Sequence, residues 1–254
     1  MIKVKTIIPV LISFMVLSCK SEKHEFPLEK RFWDVNDYRT ITLELNYGYE
    51  DDEKLPSISD PETRIIVEKL TDHQNYEIVL NDEELGLKHR NKVADEFFDR
   101  WKDMNNVYRI RDVQDKYLYD IELLKVWHFG LGLQLRYFKL GNDNILASSD
   151  DPNSTITQNR LNFNVKTLIG NYNIYLDETI NEEAFSDKGK TLFAEGIDIY
   201  FSQLIELYPD ADFSEMERKI DLMNAKSNHG KIKESLSKIK SLIESKKIRN
   251  NYSK

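Results

Sequence analysis

Cysteine is almost missing from this sequence, in which Cys19 is the only one among 254 residues. A chain with one cysteine forms no intramolecular disulfide, so its folded part must be stable without one. Zinc sites built on several cysteines are excluded, and the His-Glu-x-x-His motif is absent. The sequence therefore predicts no metal site and no cofactor. Its histidines are isolated from one another, at His24, His73, His89, His128 and His229.

Motifs that carry catalysis are lacking as well. There is no Gly-x-Ser-x-Gly elbow, and the Ser-x-x-Lys match at 235–238 lies in a lysine-rich amphipathic segment without companion motifs. Gly130 and Gly132 lack the third glycine of a dinucleotide-binding loop. Asp210 could begin a calcium loop, but Glu215 stands where that loop needs glycine. These absences favour a non-catalytic protein, although two carboxylates could still converge on folding to hydrolyse a glycan.

The charge balance lacks the basic excess that nucleic-acid binding requires. The whole chain has 36 basic and 44 acidic side chains, for a net charge of −8. Residues 213–254 carry +6, whereas residues 19–212 carry −16. Because phosphate backbones need a basic surface, the acidic body argues against nucleic acid as a partner. It is compatible with a basic protein partner, since opposite fields steer encounter.

No uncharged run is long enough to span a membrane permanently. Lys3 and Lys5 precede the uncharged stretch 6–18, which as a helix would reach roughly 20 Å of the ~30 Å hydrocarbon core. A positive start, a short apolar stretch and a small residue before the break are typical of a secretory signal. We therefore interpret residues 1–18 as a signal peptide for export.

The end of this signal resembles the lipobox of bacterial lipoproteins. The resemblance is carried by Val16, by the small residue Ser18 and by Cys19 after the break. It implies cleavage before Cys19, lipidation of its thiol and anchoring in the membrane of the cell envelope, because two or more acyl chains hold a protein stably. Lys20, where aspartate would imply retention in the inner membrane, favours the outer membrane.

Apolar spacing predicts helices through most of the remaining chain. Asp60 as N-cap with Pro61 in the first turn predicts one helix start, and the capping-box spacing of Asn81 and Glu84 predicts another. The expected buried faces are Ile65, Ile66 and Leu70 for the first helix, and Val93, Phe97, Trp101 and Met104 for the second.

The stretch 121–140 is the most apolar part of the exported chain. Its polar residues form a narrow stripe on a helix, which favours a central buried helix. Alternation over 131–137 favours a strand instead, and Gly130 and Gly132 would weaken a helix by up to ~1 kcal/mol each. We prefer the helix, followed by a loop over 141–155, which is dense in turn-forming residues.

Residues 213–247 are predicted to form a helical hairpin. The spacing of Ser214 and Glu217 fits a capping box at the start of its first helix. Its second helix follows Gly230 and has apolar residues at alternating steps of four and three. These residues are Ile232, Leu236, Ile239 and Ile243. The pattern leaves open whether this seam packs on the body or on another chain.

The predicted fold is all-α, an irregular helical bundle with a C-terminal helical hairpin. An α+β fold with a minor sheet is the alternative. It arises because 38–47 fits a strand as well as a helix capped by Asp34 or Asn36, and because 76–80 reads as a short strand. We divide the chain into a signal (1–18), a lipidated cysteine with a flexible tether (19–30), an acidic helical domain (31–212) and the basic hairpin (213–254).

Two groups of residues are candidates for a partner or ligand surface. Phe32 and Trp33 follow the tether outside any clear helix, and aromatic residues are favoured at interfaces. The second group is a run of four carboxylates in a loop, which are Glu50, Asp51, Asp52 and Glu53.

The leading hypothesis is a lipid-anchored envelope protein that acts as a non-catalytic protein-binding module. One version is an immunity protein or inhibitor of an exported toxin, whose acidic surface meets a basic cleft. The alternatives are a surface protein that binds a glycan or small ligand, and a carboxylate-based hydrolase. A pocket with two or more carboxylates near Trp101 or Trp127 would favour the hydrolase, and exposed aromatic platforms would favour the ligand-binding protein. A flat acidic face without a cleft would favour the first hypothesis.

Overall fold

A computed structural model of the chain describes residues 24–50, 52–109 and 116–252, with side chains up to Lys247. Cys19 and Asp51 lie outside the described residues. The described chain is an all-α bundle, which confirms the predicted fold class. Its α-helices are α1 Val35–Leu43, α2 Arg64–Leu70, α3 Gln74–Leu80, α4 Leu87–Arg109, α5 Asp120–Ala147, α6 Thr155–Asp177, α7 Asp187–Gly196, α8 Ser202–Leu207, α9 Ser214–Lys226 and α10 Gly230–Tyr252.

Three further segments complete the helical chain. Glu44–Gly48 continues α1 as a π-helical turn, and Ile197–Phe201 joins α7 to α8 in the same way. Glu178–Ala184 is a 3₁₀ segment that follows α6. Within the described residues, no helix combines the length and apolar character that a bilayer crossing requires.

The central helix α5 confirms the helix prediction for 121–140 and extends beyond it. The predicted loop over 141–155 is wrong in its first half, because α5 continues to Ala147. Ile145 is buried, and the buried Asn142 accepts a hydrogen bond from Asn164 of α6 at 3.0 Å. Packing against α6 therefore overrides the turn-forming composition of this stretch.

Both segments that fitted a strand are helical. Residues 38–47 lie in α1 and its π-helical extension, and Asp34 caps α1 in a capping box with Asp37. The Asp34 carboxylate accepts from the backbone N–H of Asn36 at 2.7 Å and of Asp37 at 3.0 Å. Residues 76–80 lie in α3. The described residues form no sheet, so the α+β alternative is wrong.

Two predicted helix starts are misplaced, and one predicted capping box is not formed. Asp60 precedes a turn, and α2 begins only at Arg64, so Ile65 is 42% exposed. Asn81 ends α3 instead of opening the next helix, since α4 starts at Leu87. At α9 the Ser214 side chain makes no capping bond, and the carboxylate of Asp212 accepts from the Ser214 N–H at 3.0 Å instead.

The predicted tether is shorter than residues 19–30. Phe26 and Leu28 are partly buried against the core, and the Trp33 indole N–H donates to the Pro27 carbonyl at 3.0 Å. Residues 24–30 are therefore part of the folded domain.

The C-terminal hairpin packs inward. Helix α10 contacts α7, α8, α9 and the π-helical segment Ile197–Phe201, while α9 also contacts α6. The four apolar residues predicted as a seam are all fully buried, which are Ile232, Leu236, Ile239 and Ile243. The basic hairpin thus completes the core of the acidic body.

Three buried carboxylates fix loops to the bundle, and each accepts hydrogen bonds from a serine hydroxyl and a backbone N–H. Asp120 accepts from the hydroxyl and the backbone N–H of Ser186. Glu122 binds the turn that contains Ser57 in the same way, and Glu182 binds the turn between α9 and α10. Hydrogen bonds to a charged acceptor are stronger than neutral ones. These contacts fix the positions of the three loops on the bundle.

Replacing Glu182 by alanine is expected to lower the free energy of unfolding by about 2–3 kcal/mol. The buried Ser227 hydroxyl, which donates to Glu182 at 2.6 Å, and the backbone N–H of Asn228 would both lose their acceptor. Urea unfolding of both proteins measures the difference. The matched control is Glu183→Ala, because the side chain of Glu183 is 78% exposed and should change stability by less than about 0.5 kcal/mol. Equal effects of the two changes would contradict this role.

Candidate functional site

A cleft of about 370 Å³ opens between α4 and α6, which both pack on α5. This volume is within the range of small-molecule sites. Glu178, the first residue of the 3₁₀ segment, closes one end of the cleft. The residues that line the cleft are Trp101, Asn105 and Arg109 of α4, Trp127, Leu131 and Gln134 of α5, Asn171, Ile174 and Tyr175 of α6, and Glu178.

Two tryptophans form the wall nearest α4, and both are held in place by their indole N–H groups. Trp101 donates to the carbonyl of Val126 at 2.8 Å, and Trp127 donates to Oδ1 of Asn105 at 2.5 Å. Trp101 fits because residue 130 is glycine. A Cβ atom at Gly130 would lie 2.0 Å from Cε2 of the indole, where ordinary contacts are 3.4–4 Å. The wall is therefore rigid.

An ion pair occupies the end of the cleft. Arg109 hydrogen-bonds Oε1 of Glu178, and its guanidinium lies 5.2 Å from the centre of a Trp127 ring. Oε2 of Glu178 accepts from the Tyr117 hydroxyl and from the Asn181 amide, each at 3.0 Å. Glu178 is the single carboxylate among the lining residues. Its two oxygens already serve as structural acceptors.

The side-chain amides of the cleft have unused hydrogen-bonding capacity. Gln134 is 3% exposed, and its Oε1 atom is buried without a hydrogen-bond partner among the described residues. Asn105 uses only its oxygen, and Asn171 makes no side-chain hydrogen bond within the described part of the chain. Because buried polar groups are nearly always paired with protein or with water, the Gln134 oxygen marks a polar point in the cleft wall whose partner is water or a ligand.

Behind the cleft lies a buried cluster of histidine and tyrosine rings. His128 Nε2 lies 3.3 Å from the hydroxyl of Tyr175, which lines the cleft and donates to the Phe193 carbonyl. Burial, with smaller contributions from His73 and Lys125, lowers the pKa of His128 to about 3. His128 is therefore neutral at physiological pH. Its hydrogen bond to Tyr175 supports the cleft wall from behind.

Phe32 and Trp33, the aromatic pair predicted for a surface, differ in their exposure. The prediction is wrong for Trp33, which is 1% exposed and packs in the core, with its backbone N–H donating to Oδ1 of Asn75 at 2.8 Å. Its neighbours supply the apolar surroundings that the local sequence does not reveal. Phe32 is partly exposed beneath the Arg31 guanidinium. Neither ring lines the cleft.

Glu53 of the acidic run is engaged within the protein. Glu53 accepts from His24 at 2.9 Å, and His24 also contacts Glu44 at 2.7 Å while it stacks on Tyr49. Glu50 and Asp52 are exposed. The described part of the chain holds no group of three or more acidic, histidine or cysteine side chains suited to a metal ion.

The contacts of His24 with Glu44 and Glu53, which we call the His24 clamp, are expected to depend on pH. Burial lowers the pKa of His24, but the hydrogen bonds and charges of Glu44 and Glu53 raise it by more, so the net pKa lies above 6.5. The clamp is therefore complete below pH 6.5 and is lost as the pH rises through the raised pKa. NMR titration of the His24 ring measures this pKa directly. A value at or below 6.5 would contradict the clamp.

Comparison with known proteins adds no relative. No family model, no curated protein and no solved structure matches the chain.

Proposed function

We propose that this chain is a lipid-anchored envelope protein that binds a small polyhydroxyl ligand, such as a sugar unit, in the cleft between α4 and α6. The observation that carries the proposal is the unpaired amide of Gln134 in the cleft wall. Hydroxyl groups donate and accept hydrogen bonds, so they can satisfy amides that no protein group reaches. Tryptophan side chains beside them offer apolar contact to the C–H groups of a sugar ring.

The lining residues favour binding over hydrolysis. Glycoside hydrolysis uses two carboxylates that flank the scissile bond. Glu178 provides one, and the donors Arg109, Tyr117 and Asn181 surround it. A carboxylate held in this way positions the cleft wall and is poorly placed to exchange a proton with a ligand.

The anchor belongs to the same proposal and is supported by the lipobox resemblance around Cys19. In the proposed protein, residues 20–23 separate the lipid from the folded domain at His24. So short a connection would hold the cleft near the membrane surface, with the outer membrane as the proposed location.

Replacing Gln134 by leucine tests the proposed site. The change removes the amide but keeps a similar volume, so ligand affinity should fall about tenfold. Because the unpaired polar atom also disappears, the stability of the protein should be kept or raised. Tryptophan fluorescence reports binding of a panel of mono- and disaccharides, because two of the three tryptophans line the cleft. Gln203→Leu, at an exposed position of α8, is the matched control. A panel that leaves the wild-type spectrum unchanged would contradict the proposal.

A protein partner is the second candidate, and a specific observation favours it. Ile156 and Phe163 of α6 are exposed outside the cleft, Ile174 is exposed at the cleft itself, and α6 contains no acidic residue before Asp177. Such a face suits a protein surface more than bulk water. A protein that co-purifies with the wild type and is lost from an Ile156→Asp variant would favour this candidate.

A further inference from the structure

A second cavity, of about 490 Å³, follows the cleft along α5. It is bounded by the same three helices, and Asn91, Tyr137, Asn144 and Phe163 are among its lining residues. The α5 residues from Trp127 in the cleft to Ile145 in the second cavity cover about 27 Å of helix, at 1.5 Å per residue. The two cavities therefore lie in line rather than on separate faces.

Stacked aromatic rings connect the two cavities. Phe98 stacks on Trp101 of the cleft at 5.4 Å and on Tyr137 of the second cavity at 5.5 Å, with an interplanar angle of 3° in the latter pair. The three rings form one edge that passes from the first cavity to the second. Phe98 is partly exposed, with the Lys102 ammonium 4.6 Å from its ring centre, so the stretch between the cavities offers some apolar surface to a ligand that spans them.

The second cavity repeats the chemistry of the first. Among the described residues, the side chains of Asn91, Asn144 and Asn159 make no hydrogen bond, and no carboxylate lines this cavity. Phe163 is 69% exposed at its rim. The amides of Asn91 and Asn144 are partly exposed and that of Asn159 is exposed, whereas Gln134 is buried, and Arg160 adds a cation to the second cavity. Aromatic rings beside side-chain amides thus recur along one line.

From this arrangement we infer that the two cavities are subsites of one groove and that the ligand is a linear glycan spanning both. The inference rests on the proposed sugar site in the cleft and extends it to a substrate class. A repeating chain of sugar rings presents the same hydroxyls and C–H faces at regular intervals, which matches two similar subsites in line. A compact ligand of one or two rings would fill only the cleft.

Chain length provides the test. The full chain, with Cys19→Ser to keep it in solution, is titrated with di-, tetra- and hexasaccharides of cellulose, xylan, mannan and polygalacturonate. We expect the hexasaccharide of at least one series to bind at least tenfold more tightly than its disaccharide. The combined change Asn159→Ala and Phe163→Ala should remove most of that gain and leave disaccharide affinity within about twofold.

The controls separate this inference from the proposed function. Ile156→Ala, on the same helix and 75% exposed outside both cavities, should leave the length dependence unchanged. Equal affinity for short and long chains would overturn the linear-glycan inference and leave the sugar site intact. Absence of binding by every series, or binding of an extended peptide pool in place of glycans, would overturn both.

Discussion

Replacing Ile239 by aspartate is expected to lower the free energy of unfolding by at least about 4 kcal/mol. Ile239 is fully buried in α10, where the helix packs on α7, α8 and the π-helical segment Ile197–Phe201. A carboxylate there would lose hydration without gaining a partner. Because domains are stable by about 5–15 kcal/mol, a loss of this size removes a large part of the stability. Circular dichroism and urea unfolding measure it.

Ser241→Asp is the matched control, since it introduces the same side chain two residues further on the exposed side of α10. Its stability should remain within about 0.5 kcal/mol of the wild type. A hairpin that waits for another chain would give a different result, in which Ile239→Asp leaves the isolated protein folded and impairs only association. The two outcomes distinguish an internal role of the seam from an intermolecular one.

Strong periodic patterns predicted the fold correctly where the local signal agreed with the tertiary contacts. The seam of α10 is an example, because four residues at heptad spacing can be buried only by facing one neighbour. Boundaries were predicted poorly, since they depend on distant groups. Asn142 continues α5 because it accepts a hydrogen bond from Asn164 of α6, which the local sequence does not reveal.

The candidate site was only partly predictable. Trp101 and Trp127 were recognised as possible pocket residues, but Phe32 and Trp33 were preferred because the local sequence around them shows no helix. The decisive residue, Gln134, has a weak signal: it is a polar residue within the most apolar stretch of the chain, away from its polar stripe. Asn105 and Asn171 carry no signal at all, because their role depends on which side of each helix faces the cleft.

Replacing Gly130 by alanine is expected to destabilise the protein by about 2–3 kcal/mol and to abolish ligand binding. The new Cβ atom would overlap the Trp101 indole, 2.1 Å from its Nε1 atom, so the ring must leave its position and its hydrogen bond to Val126 is lost. Overpacking costs about 1–3 kcal/mol and the lost hydrogen bond about 1 kcal/mol more. The displaced ring would also fill the cleft. Thermal unfolding and saccharide titration measure the two effects.

The sign of this effect should reverse when Trp101 is absent. In a Trp101→Ala background no ring obstructs the new methyl group, and alanine is favoured over glycine within a helix by up to about 1 kcal/mol. Gly130→Ala should therefore stabilise that variant, which gives a coupling of about 3–4 kcal/mol between the two positions. Gly170→Ala in α6 is the control, because a Cβ atom there meets nothing within 4 Å and should stabilise the wild type. If Gly130→Ala also stabilised the wild type, the close packing of Trp101 on α5, and with it the rigid cleft wall, would be wrong.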